Sequence, residues 1–281
     1  MIVIASIPGQ LGNRLMVHAS VMAWCIRHKQ QLSNPSLAPY DAYFAMHDEH
    51  RVVARKSFWN HYRRSFLVAK TSWRLNNPIP GIRCTRIDWH EKINLDDPAV
   101  TRQLSRPGVH FLQGWEFRAQ QSLTTAKAEV RRYFSLAPAL RAQLEGYWDK
   151  LGVSSGRTIG VHIRRGDYAH FEGGKYYYEN ETYLRSMLAC AARYRDEPIR
   201  FLVCSNEKLD LSYFRAPGLQ VSAGPGHEAL DLYALSNCDC IIGPPSTYNL
   251  WASFLNEVPL FWIRDKNDVF DETHAKAMAS F

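Results

Sequence analysis

The 281-residue sequence lacks most of the short signatures that identify an activity by themselves. It holds no CxxC pair, no GxGxxG fingerprint and no GK[ST] triplet, so thioredoxin-type redox chemistry, finger-type zinc binding, the dinucleotide fingerprint and the P-loop all lose their usual mark. Membrane-length apolar runs are missing too. Met1–Ile7 is too short to cross a bilayer or serve as a signal core, and no later segment reaches the ~20 apolar residues a spanning helix needs. The expectation is a chain that is soluble or at most peripheral to a membrane, cytoplasmic unless an N-terminal anchor precedes it. Internal repeats, low-complexity segments and blocks of like charge are also absent; the lysines and arginines behind the net charge of +7 are scattered. That balance suits an anionic ligand, and without a recognisable binding module no nucleic-acid partner is expected.

What is present is apolar residue in quantity, 46% of the chain, enough for two domains of roughly 100–150 residues. The six cysteines (Cys25, Cys84, Cys190, Cys204, Cys238 and Cys240) lie mostly in apolar segments and read as reduced core residues. Cys238-Asp239-Cys240 has no His/Cys partner pair at metal-ligand spacing and is read as structural.

Two halves are distinguishable, 1–150 and 151–281. The first opens with an apolar strand over 2–7, a turn Pro8-Gly9-Gln10-Leu11-Gly12-Asn13-Arg14 and a helical pattern to about His28. Residues 35–115 are rich in aromatics, prolines and arginines with weak periodicity, and 122–150 reads as helices with Pro138 near the start of the second. A linker-like stretch, 151–157, marks the boundary. The second half alternates: strand 158–164, helix 180–195, strand 199–204, strand 219–222, helix 227–236, strand 239–243, helix 247–256, strand 259–263. Strands alternating with helices predict an α/β fold with a parallel, Rossmann-like sheet.

Four places in this framework could bind a ligand, three of them an anion. Strand 158–164 runs out into Arg164-Arg165-Gly166-Asp167, delivering two permanent cations to a sheet rim; a guanidinium holds phosphate oxygens with two parallel N–H bonds, although ion pairs with Asp167 and a neighbouring carboxylate are the plainer reading. In the first turn, Gly9, Gly12 and Asn13 permit close backbone approach at a helix N-terminus, or form only a tight βα connection. Strand 199–204 exits into Ser205-Asn206-Glu207, acceptors suited to a purine edge or a helix cap. Ser246 and Thr247 come after the segment from Asp231 to Pro245 and open the next helix, suiting phosphate or plain capping.

The order GQLGNR near residue 9, FLQGWEF at 111–117, VHIRRGDY from 161, SNE at 205 and DLYALSNCDCIIGPPSTYNLWASFL from 231 resembles glycosyltransferase family 11, the α-1,2-fucosyltransferases. The resemblance implies a GT-B-like pair of facing Rossmann-type domains, an acceptor side at 1–150 and a donor side at 151–281. It implies inverting transfer of fucose from the nucleotide sugar GDP-fucose to a glycan acceptor, with no cofactor and no metal; the lack of a clear DxD aspartate pair agrees. Residue by residue, it makes Arg164 the principal diphosphate cation with Arg165 in support, places His162 near the base, has Asp167 fix the arginine loop, gives Ser246 and Thr247 to the phosphate turn, Asp231 to the donor site, and Gly9, Gly12 and Asn13 to the amino-terminal loop. Two departures stand out. Asn206 occupies a position where relatives usually carry aspartate, shifting any charged guanine acceptor to Glu207, and Arg14 replaces a common glutamine. For the general base, position suggests Glu116 or His18, with Asp41 behind them. Trp24, Trp148 and Trp251 read as core packing, Tyr176-Tyr177-Tyr178 as a surface turn or acceptor loop, and the basic run Arg51–Arg64 as a solvated face or a contact for membrane-linked or anionic acceptors.

Overall fold

In a computed structural model that describes residues 1–77, 79–152 and 156–281, contacts along the chain divide it into Met1–Ala137 with Ser280–Phe281, and Pro138–Ala279. The linker-like composition suggests a division after residue 150. The helix preceding that point instead goes with the second unit, because Tyr147 Oη donates to Ala223 O and Arg200 Nη1 to Leu151 O, the latter at 3.0 Å. Residues 153–155 of the expected linker lie outside the described residues.

The first unit runs β1 (Ile2–Ile4), α1 (Leu11–His28), β2 (Leu32–Ser33), a 3₁₀ segment (Pro35–Tyr43), α2 (Tyr62–Arg74), β3 (Ile82–Arg86), β4 (Ile93–Asn94), α3 (Pro98–Leu104), β5 (Val109–Gln113), β6 (Phe117–Arg118), α4 (Gln120–Thr125) and α5 (Lys127–Tyr133). Its main sheet is parallel, in the order β2-β1-β5-β3. Strand β1 ends at Ile4, earlier than its apolar run suggests, because Ser6 turns its hydroxyl onto Gly114 O at 2.8 Å. Helix α1 buries Leu15, Val17, Val21 and Trp24 completely. The weakly periodic middle, whose pattern specifies no element, contributes α2, β3 and α3.

The second unit contains α6 (Pro138–Leu151), β7 (Arg157–Ile163), α7 (Asn180–Arg193), β8 (Ile199–Ser205), β9 (Gln220–Ala223), α8 (Glu228–Ser236), β10 (Cys240–Gly243), α9 (Thr247–Asn256), β11 (Pro259–Trp262) and β12 (Lys276–Ala277). The strand order is β12-β11-β10-β7-β8-β9, parallel except for the short edge strand β12. The chain builds outward from β7 through β8 and β9, then returns to β10 on the other side. The carboxyl ends of β7 and β10 are therefore the topological switch point, where open α/β sheets bind ligands.

Strand alternation assigns the two faces of β7. Ile159, Val161 and Ile163 enter a core with Tyr183, Met187 and Cys190 of α7. Gly160 and His162 face the other way, towards α8 and α9: the His162 ring lies 4.9 Å from that of Tyr248, and a Cβ on Gly160 would stand 2.6 Å from Leu235 Cδ2 and 3.2 Å from Cys238 Sγ. All six cysteines are free and buried. Asp239, between two of them, accepts from Thr158 N at 2.8 Å and so pins the start of β7. Among the described residues no helix is long and apolar enough to cross a membrane.

The tight seat of α8 on β7 predicts that Gly160→Ala, adding one methyl group where no space exists, will lower stability by about 1–3 kcal/mol in urea denaturation.

Candidate active site

The segments that leave the carboxyl ends of β7 and β10 build the switch point. Past Ile163 the alternation continues into the two arginines and sends them to opposite sides. Arg165 turns towards α7 and is buried. Its Nε donates to Tyr178 O at 3.2 Å, its Nη2 to Asn180 Oδ1 at 2.6 Å, and its Nη1 pairs with Glu207 at 3.3 Å. Asn206 closes the same knot through the backbone: Oδ1 accepts from Arg165 N at 2.8 Å and Nδ2 donates to Arg165 O at 2.9 Å. This two-point grip needs an amide, because a carboxylate has no hydrogen to give the carbonyl. Asn206 is thereby committed to the chain, and Glu207 is engaged by Arg165.

Arg164 takes the other side. Its Nη2 reaches both carboxylate oxygens of Asp167, at 2.7 and 2.8 Å, and its guanidinium stands 5.3 Å from the centre of the Tyr168 ring. The loop between them turns at Gly166, whose φ of +63° falls in the left-handed region. Tyr168 Oη donates to Pro245 O at 2.8 Å, tying the arginine loop to the turn after β10. Burial pushes that phenol up to about 12, so it remains a donor at neutral pH. Beyond Pro245, Ser246 caps α9 by accepting from Asn249 N at 3.1 Å, which leaves Thr247 to open the helix. The site thus sets an oriented guanidinium and a helix N-terminus around the β7–β10 crevice, a combination that neutralises a diphosphate.

Two expected donor-site residues take other positions. His162 is buried beneath Tyr248, where burial together with Arg164 lowers its pKa to about 3 and keeps the ring neutral. Asp231, on α8, is also buried and holds the loop after β9 by accepting from Gly226 N at 2.8 Å. Desolvation raises its pKa to about 6. Tyr168 and Asn180, which the sequence offers only as part of a motif and a helix start, emerge as structural partners of the arginines. Adjacency to the motif is the available signal for Tyr168; none points to Asn180.

In the first unit, Gly9 turns with φ of +58° before α1, Gly12 is buried and Asn13 half-buried in its first turn. Arg14 Nε and Nη1 donate to Gly9 O and Ser36 O at 3.0 and 2.8 Å, its guanidinium lies over Tyr40, and it lines a cleft of about 350 Å³ with Ile7, Asn60, His61 and Tyr62. The base candidates do not form an unengaged group. His18 is buried, stacked on Tyr133, within 3.1 Å of Asn34 and lowered to about 3 by burial. Glu116 is held by Arg118 at 3.2 Å and Lys92 at 3.8 Å, and Asp41 by Arg55 at 3.6 Å.

The chain is similar to known proteins over most of its length. It is 30% identical to a galactoside alpha-(1,2)-fucosyltransferase 2 of Hylobates lar over 203 residues, 65% of this chain and 56% of that protein. The chain spans about half the length of the curated relatives it matches. Among solved structures it resembles an Arabidopsis thaliana FUT1 mutant in complex with GDP (14% identity, TM-score 0.60, 99% of this chain and 74% of that one). It also resembles the fucosyltransferase NodZ from Bradyrhizobium (18% identity, TM-score 0.59, 98% and 96%). These likenesses establish a shared GT-B-like fold with parallel sheets. The profile of glycosyl transferase family 11 matches residues 117–280, which takes in the arginine loop, the Asn206 knot and the turn into α9, and the chain belongs to that family.

Proposed function

We propose that this protein transfers L-fucose from GDP-fucose to a hydroxyl of an acceptor glycan, forming an α-1,2 linkage to galactose with inversion at C1 and without a divalent metal. The observation that carries this reading is Arg164, paired with Asp167 at the end of β7 in a loop that Tyr168 ties to the turn before α9. Membership of a family whose matched relatives are named galactoside α-(1,2)-fucosyltransferases supports the donor and the linkage.

In this reading the acceptor oxygen attacks C1 from the face opposite the diphosphate, the C1–O bond breaks, and its electron pair passes to the β-phosphate. Charge grows there as the bond stretches. A cation already in place stabilises that charge without reorganising, the most effective form of electrostatic catalysis. Asp167 limits the rotamers Arg164 would otherwise have to lose, and Tyr168 fixes the loop that carries both. Arg165 is the positioning residue: its buried knot sets the height at which Arg164 leaves the sheet. Asn206 gives one acceptor lone pair and one N–H to the Arg165 backbone, and its exposed amide keeps one of each for a purine edge.

The test is calorimetric titration with GDP, UDP and ADP, followed by incubation of GDP-fucose with lactose in EDTA and NMR of the product. Selective GDP binding and an α-fucosyl galactoside are expected; preference for another nucleotide, or a β-configured product, would overturn the reading. Arg164→Ala is expected to lower kcat by about 10²–10³-fold with thermal unfolding close to wild type.

Asp231 supplies a pH dependence. Its pKa, raised from 3.8 to about 6, means that the folded state keeps a proton the unfolded chain has released, so this contribution to stability is full below pH ~4 and disappears as pH rises through ~6. Asp231→Asn, which keeps an acceptor for Gly226 N, should therefore be more stable than wild type at pH 7 by on the order of 1–3 kcal/mol and equal to it near pH 4, measured by urea titration at both.

A further inference from the structure

Helix α2 carries more exposed apolar surface than its packing requires. The face it turns to β3 and β5 is mostly small, with Ser65, Ala69 and Ser72 buried and Val68 packed beside them. Large apolar side chains point outward instead: Leu67 is 60% and Trp73 43% exposed, with Leu75 at 61% and Ile79 at 51% beyond them and Phe58 at 62% just before the helix. Isolated apolar residues on a surface require no explanation, but five within one stretch of chain do.

The same stretch is entirely basic. From His50 to Ile87 the sequence carries Arg51, Arg55, Lys56, Arg63, Arg64, Lys70, Arg74, Arg83 and Arg86 and no aspartate or glutamate. Arg55 pairs with Asp41, and Arg86 reaches Asp88 at 4.0 Å. Among the described residues, no salt bridge joins Arg63, Arg64, Lys70 or Arg74 to a carboxylate. The cations are interleaved with the apolar groups: the Arg64 guanidinium lies 3.8 Å from the centre of the Phe58 ring, Arg86 4.6 Å from Trp73, and Lys70 5.9 Å from Phe66.

We propose that α2, with Phe58, Leu75 and Ile79 at its flanks, forms a docking surface for a bilayer rich in anionic lipid. A helix lying in a membrane interface needs aromatic and aliphatic side chains that enter the acyl boundary and cations that meet the headgroups, and both are present here on an element that presents them outward. The apolar component distinguishes this occupant from a nucleic acid, which would use the cations and leave Leu67, Leu75 and Ile79 in water. The small-residue underside has its own consequence. It seats the helix closely on the sheet, so the exposed side chains stand on a rigid support. The surface lies wholly in the first unit.

Flotation with phosphatidylcholine vesicles, alone or with 30% phosphatidylglycerol, tests it. Binding is expected only to the anionic vesicles and should weaken steeply between 50 and 300 mM salt. The R63Q/K70Q/R74Q variant should bind about a hundredfold more weakly, from three cations each contributing roughly fivefold. L67S/L75S, which keeps every charge, should also lose most of the binding while its thermal unfolding stays near wild type. Equal binding to neutral vesicles, no binding at 50 mM salt, or full binding by L67S/L75S would overturn the proposal. So would a random RNA oligonucleotide that displaces the protein from vesicles and binds L67S/L75S as tightly as wild type.

Discussion

A buried guanidinium organises the second unit. The charge of Arg165 cannot be neutralised by losing a proton and cannot be left unpaired in the interior, so the surrounding chain has to satisfy it. The Tyr178 carbonyl and Asn180 do so from the entry to α7 and Glu207 from the exit of β8, while Asn206 grips the Arg165 backbone. The start of α7, the exit from β8 and the exit from β7 are thereby held as one piece. Removing one partner of such a network leaves an uncompensated buried charge, at a cost of about 3–5 kcal/mol. The neighbouring arginine depends on this for its own direction. Asp167 can steer Arg164 towards the crevice because the backbone beneath it is fixed by Arg165.

The division of labour between two adjacent, identical residues arises from strand geometry. Successive side chains of β7 point to opposite faces, and the alternation persists two residues beyond the strand. The same rule disposes of His162: two positions before Arg164 it shares the α9 side, but still inside the sheet layer, where Tyr248 covers it and burial keeps it neutral. A buried histidine, an arginine paired with Asp167 and a buried arginine thus occur within four consecutive residues and differ only in face and in distance from the strand end.

The first unit uses backbone proximity differently. The β1–α1 turn brings Gly9 O within reach of Arg14, whose other bond, to Ser36 O, ties α1 to the 3₁₀ segment beside a cleft. Arg14 therefore brings to this turn both a charge and a pair of backbone anchors. Elsewhere in the unit, α2 spends its small residues on the sheet and its large ones on the surface, a pattern at odds with a helix made only to cover a core.

The sequence by itself determined the second unit almost element by element. Its strands are short apolar runs bounded by glycine, proline and polar turns, its helices have 3.6-residue periodicity, and such local signals survive in isolation. The motif blocks were legible for the same reason, since each sits at a strand end or a helix start. The segment 35–115 was not legible: α2 does set its cations opposite its buried face, but with Ser65, Ala69 and Ser72 inside, that contrast is carried by charge rather than by a stripe of large apolar side chains. Nor could composition place the unit boundary, which depends on α6 reaching Ala223 and Arg200. The roles of Asn206, Glu207, His162 and Glu116 were decided by tertiary structure alone. A polar side chain can be assigned from sequence as a possible donor or acceptor, but whether that capacity is spent on the protein or left for a ligand depends on groups distant along the chain, and only folding brings those into contact.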